Sequence, residues 1–188
     1  MKVQDLGLIP FERIDALLEK YILLAKREDY LLLCTHPPVY TIGSEPYTCD
    51  LPLIPSDRGG SVTYFDEGCL MLYFAFKVLS PPRFYAKVIQ ALEQFFTIFD
   101  PNILYDRTRP GFYINGEKIA SLGFRYKQGV SKHGVSLHIA PDLRAFNRIE
   151  PCGLKGVRAT SLEELGFTLD MPRAKELAIK VIKDVFKA

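Results

Sequence analysis

Asn115-Gly116 constrains this chain more than any other pair of residues. It stands between two extended runs, Gly111–Ile114 and Glu117–Lys127. Asn and Gly both tolerate the positive φ that a type I′ turn requires, so the two runs are expected to close into a tight antiparallel hairpin. A further strand is expected at residues 130–139, after Gln128-Gly129. Its alternation places Val135, Leu137 and Ile139 on one side, with Gly134, Ser136 and His138 on the other.

The remaining elements follow from period and punctuation. A short strand is expected at residues 3–9. Pro10 then opens a helix carrying Phe11, Ile14, Leu17, Leu18, Tyr21 and Leu24 on one face and ending near Arg27. Tyr30–Thr35 is a continuous apolar strand, His36-Pro-Pro38 interrupts it, and Val39–Ile42 resumes extended structure. Residues 43–57 read as a loop rich in proline and polar side chains. Residues 69–77 form a buried strand, and 84–99 a second helix whose Phe84, Val88, Leu92, Phe95, Phe96 and Phe99 face the core. Short strands are expected at 103–105 and 111–114, and mostly loop at 140–160. Ser161-Leu-Glu-Glu164 has capping-box spacing and predicts a short helix. Asp170 caps a last helix running to about Phe186. Strands and helices mix without a βαβ rhythm. The expected fold class is therefore α+β, a mixed and largely antiparallel sheet flanked by helices, in a single catalytic domain over residues 1–188.

Composition narrows the function. With 188 residues, 48% hydrophobic, the chain has ample material for one core. A net charge of +2 does not call for nucleic acid. The longest apolar run, at residues 69–76, is far short of the about 20 residues that span a membrane. The N-terminus has no apolar signal region, and Cys34, Cys49, Cys69 and Cys152 have no metal-ligand spacing. A reduced, cytoplasmic protein is expected, without metal, membrane or nucleic acid.

Cys152 stands apart from the other three. It lies between Pro151 and Gly153, with Arg144, Arg148, Lys155 and Arg158 close in sequence and Glu150 the one acid between Arg144 and Arg158. Positive charge favours the thiolate, which is the nucleophile. A cysteine is also commonly just a small buried hydrophobe. Arg58-Gly-Gly-Ser-Val-Thr-Tyr64 suggests backbone that a ligand can approach closely, and equally an ordinary turn into a strand. Lys118, two residues beyond the hairpin turn, reads by itself as a solvated lysine.

Five segments in order carry more than any one of them: His36-Pro-Pro-Val-Tyr-Thr-Ile-Gly43, Arg58-Gly-Gly-Ser-Val-Thr-Tyr64, Gly116-Glu-Lys-Ile-Ala-Ser-Leu-Gly123, His133-Gly134, and Pro151-Cys-Gly153 followed by Thr160-Ser-Leu162. Together they resemble the octanoyltransferase family, also called lipoate-protein ligase B, from His36 to Leu162. The resemblance implies the catalytic-domain fold of biotin and lipoate protein ligases. It implies transfer of an octanoyl group from octanoyl-acyl carrier protein to a lysine of lipoyl domains, such as glycine cleavage H protein and 2-oxoacid dehydrogenase E2. Cys152 would become an acyl-thioester, and Lys118 would favour its thiolate and shuttle protons. Arg58, Gly59, Gly60, Ser61, Val62, Thr63, Tyr64 and Phe65 would line the acyl pocket with Ser121, Leu122, Gly123, Gly134, Val135 and Ser136. Glycines at 59, 60, 123 and 134 would let the acyl chain lie against backbone amides. Tyr64, Ile119, Leu122 and Val135 would supply apolar walls. No cofactor is implied, because the thioester already carries the activation.

Two details remain open in the sequence. Strict alternation sets Lys118 with Ala120 and Leu122, opposite Ser121 and Gly123, so a bulge or strand end is expected if all are to meet one pocket. The family pattern Tyr-His-Gly-Pro-Gly-Gln is replaced by Tyr64-Phe-Asp-Glu-Gly-Cys69, so Phe65 stands at the usual histidine and His133 or His36 would have to supply a polar contact. Alternatives are an ATP-dependent lipoate ligase, an amidotransferase between lipoyl domains, and a non-catalytic relative that binds acyl carrier.

Overall fold

The hairpin at Asn115-Gly116 forms as its residues dictate, with both in the left-handed region (φ 52° and 81°). It joins β8 (Gly111–Ile114) to β9 (Glu117–Lys127), and Gln128-Gly129 turns β9 into β10 (Val130–His138). These strands anchor a seven-stranded sheet in a computed structural model that describes residues 1–25 and 27–187, with Cys152 described by its backbone alone. The other strands are β1 (Lys2–Leu8), β2 (Tyr30–Thr35), β6 (Cys69–Ala75) and β7 (Leu104–Asp106), in the order β1-β2-β6-β10-β9-β8-β7. Among the strand pairs of this sheet that are described, only β1–β2 is parallel. The mixed, largely antiparallel sheet expected from the sequence is therefore present.

Helices cover the sheet because alternate residues on its strands are apolar on both faces. On one face Leu31, Leu33, Leu70, Leu72, Phe74, Val135 and Leu137 pack against α2 (Pro81–Thr97) and α4 (Met171–Lys187). On the other, Leu32, Cys34, Met71, Tyr73 and Ala75 meet α1 (Phe11–Leu24). The start of α4 follows its sequence signal, whereas α2 starts three residues before the expected Phe84. Asp170 accepts the Arg173 amide at 2.8 Å, and α2 begins on its proline pair.

A second, three-stranded sheet of order β4-β3-β5 lies on the α1 side, built from β3 (Val39–Ile42), β4 (Leu53–Pro55) and β5 (Val62–Phe65). Strand β4 lies inside the segment expected to be loop, since its partner β3 is parallel and no hairpin signal connects them. After β10 come α3 (Leu143–Phe146) and a 3₁₀ turn at Pro151–Gly153. The expected helix at Ser161 does not form. Ser161 does accept the Glu164 amide at 3.1 Å, but Gly166 at φ 86° ends the chain's winding after a few turn residues. No helix among the described residues is long and apolar enough to cross a membrane.

Candidate active site

Strand register builds a floor on the α1 face of the large sheet. Gly123 of β9 pairs with Gly134 of β10, which pairs with Tyr73 of β6; two pairs along, Ser121 faces Ser136, which faces Met71. Alternation places all six on one face. The floor is thus low under β9 and β10, where the residues are Gly and Ser, and high under β6. Above it lie Gly59, Gly60, Thr63 and Phe65. The result is a narrow, mainly apolar slot.

Eleven of the fourteen residues expected to bind substrate border this slot: Arg58, Gly59, Gly60, Thr63, Phe65, Ser121, Leu122, Gly123, Gly134, Val135 and Ser136. Ser61, Val62 and Tyr64 do not. A strand has two faces, and β5 uses both. Thr63 and Phe65 turn to the slot, while Val62 and Tyr64 pack with Phe146, Ile149 and Ala159 around the segment that carries Cys152. Of the expected walls, Tyr64 packs there, while Ile119 and the Val135 side chain join the core under α2 and α4. Met71, Tyr73, Phe11 and His133 line the slot instead. The sequence signal for Met71 and Tyr73 lay in their parity with Gly134 and Ser136, which becomes readable only once β6 is known to pair with β10.

The glycines answer first to the protein's own backbone. A Cβ at Gly134 would stand 1.8 Å from the Leu72 carbonyl oxygen, and one at Gly123 2.9 Å from that of Gly59. Both contacts are far inside van der Waals distance. Arg58 holds the overhanging loop. Its Nη2 donates to the Thr41 carbonyl and hydroxyl, both at 3.1 Å, and to the Ser61 carbonyl at 2.7 Å, while Nη1 donates to the Gly59 carbonyl at 3.1 Å.

Lys118 is fully buried. The register of β8 on β9 slips between Phe112–Ala120 and Tyr113–Lys118, leaving Ile119 as the extra residue of a bulge. Ile119, Ala120 and Leu122 all join the α2/α4 core. A one-residue slip exchanges faces, so Lys118 comes to the face of Ser121 and Gly123, as their shared use required. Its Nζ donates to the Pro110 carbonyl at 3.1 Å and lies 5.4 Å from the centre of the Tyr113 ring. Lys118 opens on a cleft that also touches Gly59, Gly60, Leu122, Gly123 and Leu154. Cleft and slot share those three glycines and Leu122, so they adjoin one another.

The Cys152 segment is stitched to the same place. The Lys118 amide donates to the Arg158 carbonyl at 2.8 Å, and the Thr160 amide to the Lys118 carbonyl at 2.9 Å. Asn147 closes the loop, accepting the Ala159 amide at 2.8 Å. The 3₁₀ turn bearing Cys152 rests on β5, with Gly153 beside Ser61 and Tyr47. The thiol of Cys152 lies outside the described residues. Cys34 and Cys69 are buried in the sheet, and burial pushes the Cys69 thiol up to about 12.

The three histidines have separate fates. His36 is satisfied in the core, with Nδ1 2.6 Å from the Ile9 carbonyl and Nε2 2.8 Å from the Tyr73 hydroxyl. His138 places Nδ1 3.0 Å from the Thr160 carbonyl, and complete burial lowers it to about 4. His133 is the histidine at the slot. It holds a left-handed backbone (φ 65°) and its Nε2 lies 2.5 Å from Asp57 Oδ1. Burial pushes His133 down more than Asp57 pulls it up, so a neutral ring donates to the carboxylate. Burial opposes the charge on Asp57, yet bonds from His133 and Lys132 prevail and hold its carboxyl at about 2. Asp15, Asp57 and His133 sit close enough to surround a cation, but the Lys132 ammonium already stands 2.9 Å from Asp57 and 3.3 Å from Asp15.

Comparison with known proteins agrees with this geometry. The family described as lipoyl protein ligase A/B catalytic domain matches residues 13–183. The octanoyltransferase of Methylococcus capsulatus is 40% identical over 73% of this chain and 72% of that one. That of Pseudomonas aeruginosa is 34% identical over 86% and 80%. Among solved structures, lipoate-protein ligase A bound with ATP superposes with a TM-score of 0.77 at 13% identity, covering 100% of this chain and 86% of that one. Biotin protein ligase from Leishmania major with biotin gives 0.59 at 10%, covering 97% and 73%. At those identities the structures speak for the fold, and the sequence relatives speak for the family: the chain belongs to the lipoyl protein ligase A/B catalytic-domain family.

Proposed function

We propose that this chain is an octanoyltransferase of protein lipoylation, a single catalytic domain that works through an acyl-thioester on Cys152. The observation that carries the reading is the buried Lys118, which a bulge turns toward a cleft adjoining an apolar slot and whose backbone is bonded to the chain just beyond Cys152. An octanoyl chain has no charge and suits the slot. In the first step the Cys152 thiolate attacks the thioester carbonyl of octanoyl-acyl carrier protein. The carrier thiolate leaves and takes up the proton that the thiol released. In the second step a lysine amine of a lipoyl domain attacks the Cys152 thioester. The amine proton passes by way of Lys118 to the departing Cys152 sulfur, and an amide remains. Arg144, Arg148, Lys155 and Arg158 are exposed around this segment and suit an acidic carrier. Neither nucleotide nor metal enters these steps.

The test is intact mass after mixing the protein with octanoyl-acyl carrier protein, beside Cys152→Ser and Lys118→Ala. One octanoyl adduct, labile to hydroxylamine and absent from Cys152→Ser, is expected. Lys118→Ala should form it far more slowly. No adduct on the wild type, with lipoyl-domain modification appearing only on addition of ATP and free octanoate, would replace this reading by the ligase chemistry suggested by the ATP-bound structural neighbour.

A further inference from the structure

The slot crosses the sheet from β9 through β10 to β6, two strand spacings or about 10 Å. At the entrance are the glycines it shares with the Lys118 cleft. At the far end stand Met71, Tyr73, Phe65 and Phe11. Three of these four have packed protein behind them. Met71 and Tyr73 pair onward to Cys34 and Leu32 of β2, and Phe65 lies in the α1 core against His36. Shortening any of them would leave a closed hole in the core.

Phe11 differs. It is the first residue of α1, held edge-on by His36 at 5.4 Å and tilted against Phe65 at 5.8 Å. Phe11 also borders a groove on the outside of the protein, lined mostly by apolar residues such as Pro10, Pro37, Pro38, Val39 and Ile54, together with Glu12. Among the described residues, Phe11 alone borders both the slot and this groove. Phe11 therefore stands between the apolar slot and a groove on the surface.

We infer that Phe11 is the end wall that sets acyl-chain length. With the ring in place, the slot stops at the length of an extended octanoyl chain. Without it, a longer chain continues past Phe65 into the groove, where prolines, Val39 and Ile54 offer it apolar surface. A larger ring would shorten the slot. This inference rests on the acyl-thioester reading above and names the residue that gives that site its selectivity.

The experiment is a competition in which the full-length protein meets acyl carrier proteins bearing hexanoyl, octanoyl, decanoyl, dodecanoyl and tetradecanoyl chains, and adducts are read by intact mass. Wild type, Phe11→Ala, Phe11→Leu and Phe11→Trp are compared. Wild type is expected to favour octanoyl. In Phe11→Ala the ratio of dodecanoyl to octanoyl adduct should rise by about tenfold or more for the methylenes newly admitted, with a smaller rise for Phe11→Leu. Phe11→Trp should move the preference toward hexanoyl. If Phe11→Ala does not fold, Leu and Trp carry the test, since both keep a large apolar group in the core. A wild-type profile in variants that are acylated would overturn the inference and leave the thioester reading intact. A wild type acylated by none of the carriers would overturn the thioester reading itself.

Discussion

Gly111 offers a way to move Lys118 without replacing it. A methyl group built at Gly111 would stand 2.6 Å from Lys118 Cε, 3.0 Å from Nζ and 2.8 Å from the Ala120 carbonyl oxygen. Ordinary contact begins near 3.4 Å, so in Gly111→Ala the lysine stem must retreat by about 0.8 Å. A misplacement on the order of 1 Å in a reacting group costs about 10²-fold in rate. We therefore expect the single-turnover rates of octanoyl loading and octanoyl transfer to fall by one to two orders of magnitude, on the order of 1.4–2.8 kcal/mol of barrier. The KM for the carrier should change little, because Gly111 touches neither the slot nor the basic surface. The Ala120 carbonyl clash and the φ of 155° at Gly111, which L side chains rarely adopt, complicate the reading, since both should lower stability whether or not Lys118 matters. A double-mutant cycle separates the two. In a Lys118→Ala background, Gly111→Ala should lower the melting temperature as before but reduce the residual rate by no more than about twofold, the usual margin of additivity. A folded Gly111→Ala enzyme of wild-type speed, or losses that multiply fully in the Lys118→Ala background, would refute the placement of Lys118 at the reacting centre.

Acid should loosen the same region through His138. Its folded pKa of about 4 lies below the unfolded value of about 6.5, so its contribution to stability is fully present above pH 6.5 and is lost as the pH falls through 4. Between pH 7 and pH 5 the loss is about 2 kcal/mol, which urea unfolding of wild type against His138→Gln should show as a difference in pH dependence; equal dependence in the two would rule out the effect. Charge reversal at Arg148 and Arg158 should raise the KM for octanoyl-acyl carrier protein, and more so at low salt, with single-turnover transfer from the loaded enzyme unchanged; an unaltered KM would remove this surface as the carrier dock.

What the sequence makes legible depends on how local the cause is. The Asn115-Gly116 turn, the cap at Asp170 and the alternation of β10 are decided within a few residues, and each can be read off the chain. The bulge at Ile119 is legible for a different reason: Lys118 and Ser121 cannot share a pocket from a regular strand, and the conflict itself predicts the slip. The parts that escape are set by partners distant in sequence. Strand β4 exists only because β3 offers it a parallel edge. The helix expected at Ser161 fails five residues on, at Gly166. Phe11 reads as one apolar residue of an amphipathic helix, and nothing nearby in sequence reveals that its ring stands between a slot and an open groove.

The division of β5 between its two faces explains why the motif Arg58-Gly-Gly-Ser-Val-Thr-Tyr64 is more than a lining. Thr63 and Phe65 roof the slot, while Val62 and Tyr64 hold Phe146 and Ile149, from which the chain runs directly into the 3₁₀ turn of Cys152. Any shift of β5 therefore moves the slot and the cysteine segment together. The Arg58 guanidinium fixes that strand's approach by four bonds to backbone and Thr41, and the Asp57–His133 pair ties the residue before it to β10. On the opposite side, Lys118 is bonded through its backbone to Arg158 and Thr160 at the far end of the cysteine loop. The loop is thus pinned at both ends to the two elements that form the slot and the cleft. The backbone position of Cys152 follows from sheet geometry rather than from the loop's own sequence, which accounts for a segment so short and so poor in regular structure.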